Sequence, residues 1–168
     1  MRVAASAAAI VVALALQTTL SGVLFSGPAS PDLVLIVVVY IALTNGRVAG
    51  LLAGSAAGLV QDALSSGVIG IGGLSKTLVA FLAGVAGTQF IVTAPFPRFV
   101  VFVLATLLHS AVFMGLYGLL DLRQFPSPYA AMLGQALGNG FVGVIGFHVI
   151  EWLPGFLARR RAVRTLKR

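Results

Sequence analysis

An all-α integral membrane fold, with six transmembrane helices and both termini in the cytoplasm, is the class this sequence predicts, and three observations predict it. Of its 168 residues 59% are hydrophobic and 9% charged, with a mean hydropathy of +1.06. A soluble domain carries roughly a quarter of its residues charged, so most of this surface faces something apolar. Apolar stretches recur along the chain between clusters of proline, glycine and asparagine, and at roughly 20 residues per span the length holds about six of them. With the N-terminus inside, Arg2, Arg47, Arg98 and the tail residues Arg159, Arg160, Arg161, Arg164, Lys167 and Arg168 fall on one side, and Lys76 and Arg123 on the other. That asymmetry follows the positive-inside rule. The organisation expected is one six-helix domain over residues 1–158 and a basic cytoplasmic tail over 159–168.

The first element runs from Val3 to Phe25. It reads as a helix rather than a cleaved signal, because the apolar run is long and Gln17, Thr18, Thr19 and Ser21 interrupt its end without a clean small-x-small cleavage site. After a turn from Ser26 to Pro31, Ser30 is placed to cap a second helix, with Pro31 at its first position and Asp32 in its first turn. Leu33 to Leu43 is rich in β-branched residues, yet an open strand edge cannot be satisfied in lipid, so a short or tilted helix ending at Thr44-Asn45-Gly46 is expected.

A third helix from Arg47 to Leu64 and a fourth from Leu74 to about Val92 form a hairpin around the glycine-rich link Ser65 to Gly73. Gly50, Gly54, Gly58 and Asp62 repeat at steps of four, as do Lys76, Ala80 and Gly84. Two smooth helical faces of this kind suit tight packing in lipid, against each other or against another protein. Pro95-Phe96-Pro97-Arg98 breaks the pattern, a fifth helix takes Phe99 to Leu120, Asp121 to Pro128 is a loop, and a sixth helix covers Tyr129 to Leu153 until Pro154-Gly155 ends it.

Asp62 and Lys76 lie at the outer ends of the hairpin helices, where they form an ion pair fixing the register or else snorkel separately to water. His109 is in mid-span, where an ionisable group suggests a proton relay. No carboxylate lies in the middle of another span, so a neutral histidine hydrogen-bonded across helices is the expectation. His148, Glu151 and Trp152 share a face and read as an interfacial ion pair with an aromatic anchor, since one His-x-x-Glu without a second copy is not a metal site. Gly138-Asn139-Gly140-Phe141-Val142-Gly143 matches GxGxxG letter for letter but has no strand before it and no acidic residue about 20 positions on. Gly70 to Lys76 lacks the Gly-Lys-Ser/Thr of a phosphate loop. No Ser/His/Asp set, paired carboxylates or ligand cluster supports catalysis, a cofactor or a metal. Cysteine is absent, so there are no disulfides. The tail has no aromatic residues, which favours anionic lipid over nucleic acid as its partner.

Pro31-Asp32-Leu33 before a short apolar span, Gly50 through Gly58 to Asp62, the turn Ser65-Ser66-Gly67-Val68-Ile69-Gly70 and the run from Leu74 to Gly84 resemble the MreD family of bacterial rod shape-determining membrane proteins. Gln17 also looks like the family, and the second half resembles it in hydropathy and length. The resemblance implies a non-enzymatic inner-membrane scaffold of the peptidoglycan elongation machinery. It would bind an MreC-type single-span periplasmic protein and influence the elongation glycosyltransferase and transpeptidase and the actin-like MreB filaments. It also implies an architecture similar to the substrate-binding subunits of energy-coupling-factor transporters. The competing class is a small-molecule transporter or substrate-binding membrane subunit, with Gln17, Asp62, Lys76 and His109 lining a site. A lipid-processing enzyme is a weaker third class, lacking catalytic groups.

Overall fold

A computed structural model describes residues 2–20, 30–65, 67–89, 94–122 and 129–165, with side chains in the last stretch as far as Trp152. The described chain is helical: α1 (Arg2–Leu20), α2 (Leu33–Asn45), α3 (Arg47–Leu64), α4 (Ile71–Gln89), α5 (Pro95–Leu119) and α6 (Tyr129–Thr165). Three segments among them, Ile71–Gln89, Pro95–Leu119 and Tyr129–Trp152, are long and apolar enough to cross a membrane by length and composition. Leu52, Leu104, Leu133, Phe141 and Trp152 lie on the outside, as lipid contact requires.

The most apolar helix is the one the protein surrounds. α2 touches all five other helices, and Val34, Val38, Val39 and Ala42 on it are fully buried. Phe102 from α5, Phe147 from α6 and Ala13 from α1 complete this core. With 13 residues α2 is about 20 Å long at 1.5 Å per residue, shorter than a hydrocarbon core of about 30 Å.

α3 and α4 form the most extensive helix pair. A methyl group built on Gly54 would lie 2.7 Å from the Lys76 carbonyl oxygen, one on Gly58 2.5 Å from the Gly73 Cα, and one on Gly50 2.8 Å from the Ala80 carbonyl. Positions 50, 54 and 58 climb α3 in steps of four while their contacts descend α4 from Ala80 through Lys76 to Gly73. Gly84 closes the register against Arg47, whose Cα would lie 2.5 Å from an added methyl. The glycine face is therefore spent inside the chain. Gly46, at φ 87°, turns α2 into α3 in a single residue, a conformation that side chains with a Cβ rarely adopt.

The element ends differ from the sequence expectation in four places. Asp32 itself is the N-cap of α2, so Ser30 and Pro31 precede the helix rather than begin it. α4 starts at Ile71, not Leu74, because the Asp62 carboxylate caps its first turn. α5 starts at Pro95, so the proline pair opens this helix instead of breaking the chain; prolines in a first turn remove amide donors that had no helical acceptor anyway. α6 continues through Pro154-Gly155 to Thr165 and so crosses the expected boundary between domain and tail. A proline deletes one amide donor, which a long helix accommodates. The end of the first expected helix, most of the turn after it and Arg123 lie outside the described residues.

Candidate functional site

Because α2 is short and starts inside the bundle, the backbone from Ser30 to Asp32 is non-helical and, at Asp32, buried away from water. Such backbone is tolerated in a membrane only when protein groups supply its hydrogen bonds. Here they come from both ends of the sequence. The Asp32 amide donates to Asn139 Oδ1 at 2.9 Å and the Leu33 amide to Gln17 Oε1 at 2.7 Å. The Leu35 amide donates to Asp32 Oδ1 at 2.9 Å. The carbonyls are met as well, Pro31 by Gln17 Nε2 at 3.3 Å and Ser30 by Gln135 Nε2 at 2.9 Å. Asn139 Nδ2 then donates to Thr106 Oγ1 at 3.0 Å, and Thr106 donates back to the Phe102 carbonyl at 2.8 Å.

The second carboxylate oxygen of Asp32 carries the charge of the site. Lys76 Nζ lies 2.8 Å from Asp32 Oδ2, and both side chains are more than nine-tenths buried. His109 Nε2 sits 3.4 Å from Lys76 Nζ and 3.8 Å from Asp32 Oδ2. An ammonium has donors only, so His109 accepts on Nε2 and, as a neutral ring, carries its proton on Nδ1. The histidine is thus hydrogen-bonded across helices, with the carboxylate supplied by the start of α2 rather than by the middle of a span.

The expected ion pair between Asp62 and Lys76 is not what forms. Asp62 Oδ2 accepts the Gly70 and Gly73 amides at 2.8 and 3.0 Å, the unpaired donors at the start of α4. The positive end of the helix dipole takes the place of the ammonium. Gly72 lies so close that a Cβ there would collide with Asp62 Oδ1. With α4 beginning at Ile71, Lys76 stands in its second turn and its side chain is taken by α2 and α5.

Between these groups lies a cavity of about 420 Å³. Asp32, Lys76 and His109 line it together with the polar side chains of Gln61, Asp62, Ser110 and Gln135. An aromatic run from His109 to Phe113 to Tyr117, with centroids 5.8 and 4.8 Å apart, lines another side. Exposed Ser65 and Gly67 mark its mouth. Among the described residues, two buried side-chain atoms have no hydrogen-bond partner, His109 Nδ1 and Gln61 Oε1, and both residues line this cavity.

At the opposite end of α5 the guanidinium of Arg98 grips Glu151 of α6 with two hydrogen bonds of 2.9 and 2.6 Å and lies 4.1 Å over the Phe147 ring. The ion pair expected near Glu151 therefore reaches across to α5, while His148 and Trp152 are exposed. Thr106 stands out in the sequence only as a polar interruption in the middle of the fifth helix, and Asn139, Gln135 and the depth of Arg98 escaped the sequence reading. An amide side chain in the middle of an apolar run was the available signal, and it sat inside the glycine pattern rejected as a nucleotide motif; the structure buries it fully.

The family model described as rod shape-determining protein MreD matches residues 4–145 of the 168-residue chain. No curated protein and no solved structure matches it.

Proposed function

The chain belongs to the MreD family of rod shape-determining proteins, and from that premise we propose that it is a non-enzymatic membrane scaffold of the cell-wall elongation complex. It crosses the bacterial inner membrane six times with both termini in the cytoplasm, the stretch before α2 completing the span that the short helix leaves unfinished. In this reading its architecture is similar to that of the substrate-binding subunits of energy-coupling-factor transporters. Its partner is an MreC-type single-span periplasmic protein, through which it acts on the elongation glycosyltransferase and transpeptidase and on MreB filaments, while the basic tail rests on anionic lipid.

The observation that carries this reading is where the polar groups go. Gln17, Asp32, Lys76, Thr106 and Asn139 direct their hydrogen bonds at neighbouring helices, so they fix the bundle and leave its flanks apolar. Two apolar grooves border α1, of about 380 and 400 Å³, and a single helix packs in such grooves without burying charge. Gly146 lines the second groove, and a methyl group built on it meets nothing within 4 Å. Copurification with the single-span partner tests the scaffold. A stable complex is expected from the native chain and a weakened one from Gly146→Leu, which fills the groove without disturbing the monomer; no complex with the native chain removes the reading.

A second reading, a small-molecule transporter or substrate-binding membrane subunit, is favoured by the polar cavity. Solute uptake that depends on this chain, in cells whose rod shape does not, supports it over the scaffold.

A further inference from the structure

The two apolar grooves beside α1 differ by a charge. Gly143, Phe147 and Glu151 follow one another at steps of four along α6 and so share a face. Gly143 and Phe147 line the groove between α1, α2 and α6, and Glu151 continues their row past its end. The Glu151 carboxylate is held there by two hydrogen bonds from Arg98, whose guanidinium lies over the Phe147 ring. The pair straddles the surface, with the Arg98 side chain 7% exposed and that of Glu151 51%. Each carboxylate oxygen accepts once from Arg98, and a carboxylate offers about four acceptor positions, so capacity remains on its outer side. The groove between α1, α2 and α3 ends at no acid. Of the chain's four acids, Asp32 is taken by Lys76, Asp62 by the amides that open α4, and Asp121 follows α5 at the end opposite to Arg98.

We propose that the groove between α1, α2 and α6 seats the single transmembrane helix of the partner, and that Glu151 receives a lysine or arginine on the cytoplasmic flank of that helix. The inference rests on the scaffold reading and adds where the partner sits and what recognises it. A single span follows the positive-inside rule, so basic residues collect on its cytoplasmic flank. With both termini inside, the half-exposed carboxylate of Glu151 stands at that level, and its charge is complementary. Ala5 and Ala9 on α1 and Gly143 and Gly146 on α6 give the groove walls of small residues, which let an incoming helix approach closely. The same carboxylate repels an anionic lipid headgroup, which turns the groove toward an occupant with a cationic end.

The experiment uses the full chain, which has no cysteine of its own, in membranes that also hold the MreC-type partner with single cysteines placed along its span. Ala9 lines the groove toward α6 and not the one toward α3, and Ala7 the reverse. Ala9→Cys is expected to form a disulfide with the partner under mild oxidation, and Ala7→Cys to form none. Glu151→Lys is expected to lower copurification by about threefold or more. Exchange of the basic residues on the partner's cytoplasmic flank for glutamate is expected to restore it, a rescue that a purely structural role of Glu151 does not give. If Glu151→Lys does not fold, the two cysteine variants, which keep the Arg98–Glu151 pair, decide alone. A complex that cross-links through Ala7→Cys and not through Ala9→Cys overturns the inference and leaves the scaffold standing. Disulfides between two copies of the Ala9→Cys chain, with none to the partner, assign the groove to a second copy and overturn it as well. Undiminished copurification of Glu151→Lys removes the recognition role of Glu151. Failure of the native chain to form any complex removes the scaffold reading and the docking site with it.

Discussion

Lys76 is the side chain on which the interior depends most. Its removal strands the Asp32 carboxylate, already more than nine-tenths buried, without a counter-charge. Lys76→Met is therefore expected to destabilise the protein by about 3–5 kcal/mol, measured by thermal or denaturant unfolding in detergent. Asparagine at position 32 keeps the N-cap and drops the charge, so Asp32→Asn combined with Lys76→Met is expected to recover most of that loss. A double variant no more stable than Lys76→Met would show that the ion pair is not the source. Asn139 is held differently, by one accepted and one donated hydrogen bond. Asn139→Leu leaves the buried Asp32 amide unmet, while Thr106 keeps its own bond to the Phe102 carbonyl, and is expected to cost about 1–3 kcal/mol by the same measurement.

Helix α3 is where the sequence was most readable, since Gly46 before it and Ser65 after it punctuate the chain and the steps of four between them specify one smooth face. Gly54→Leu is expected to force α3 and α4 apart and lower the unfolding temperature, because even a methyl would lie 2.7 Å from a carbonyl oxygen. Gly115→Leu, where a methyl meets nothing within 4 Å, is expected to leave it unchanged. The site was harder to read. Sequence proximity paired Asp62 with Lys76 across a hairpin, but a carboxylate beside the start of a helix has amides to accept from, and that competition is invisible without the start of α4. The true partner of Lys76 lies on α2, and the amides of α2 are held by Gln17 and Asn139, contacts spanning 16 and 107 residues. No local period encodes such separations. Periodicity likewise stopped α6 at Pro154, where one lost donor did not end the helix.

For the whole molecule the absence of cysteine makes orientation measurable, since each introduced thiol is the only one present. Ser65→Cys, exposed at the α3–α4 turn, is expected to react with a membrane-impermeant maleimide in intact spheroplasts; Ala94→Cys, exposed at the start of α5, is expected to react only after lysis. The reverse pattern would invert the topology. The placement of Asp32 also bears on how the chain is made. α2 leaves the ribosome well before the residues that neutralise and cap its first turn, because Lys76 belongs to α4 and Asn139 to α6. An unpaired aspartate at the head of an apolar helix opposes its insertion into lipid, by up to roughly 2.5–3.5 kcal/mol at the centre of a bilayer, and α2 is shorter than a hydrocarbon core. α2 is therefore expected to take its central position late, after the C-terminal helices have been synthesised. Chains arrested before α4 are expected to be turned over rapidly in pulse-chase experiments, which makes completion of the lysine-bearing helix a checkpoint in the biogenesis of the protein.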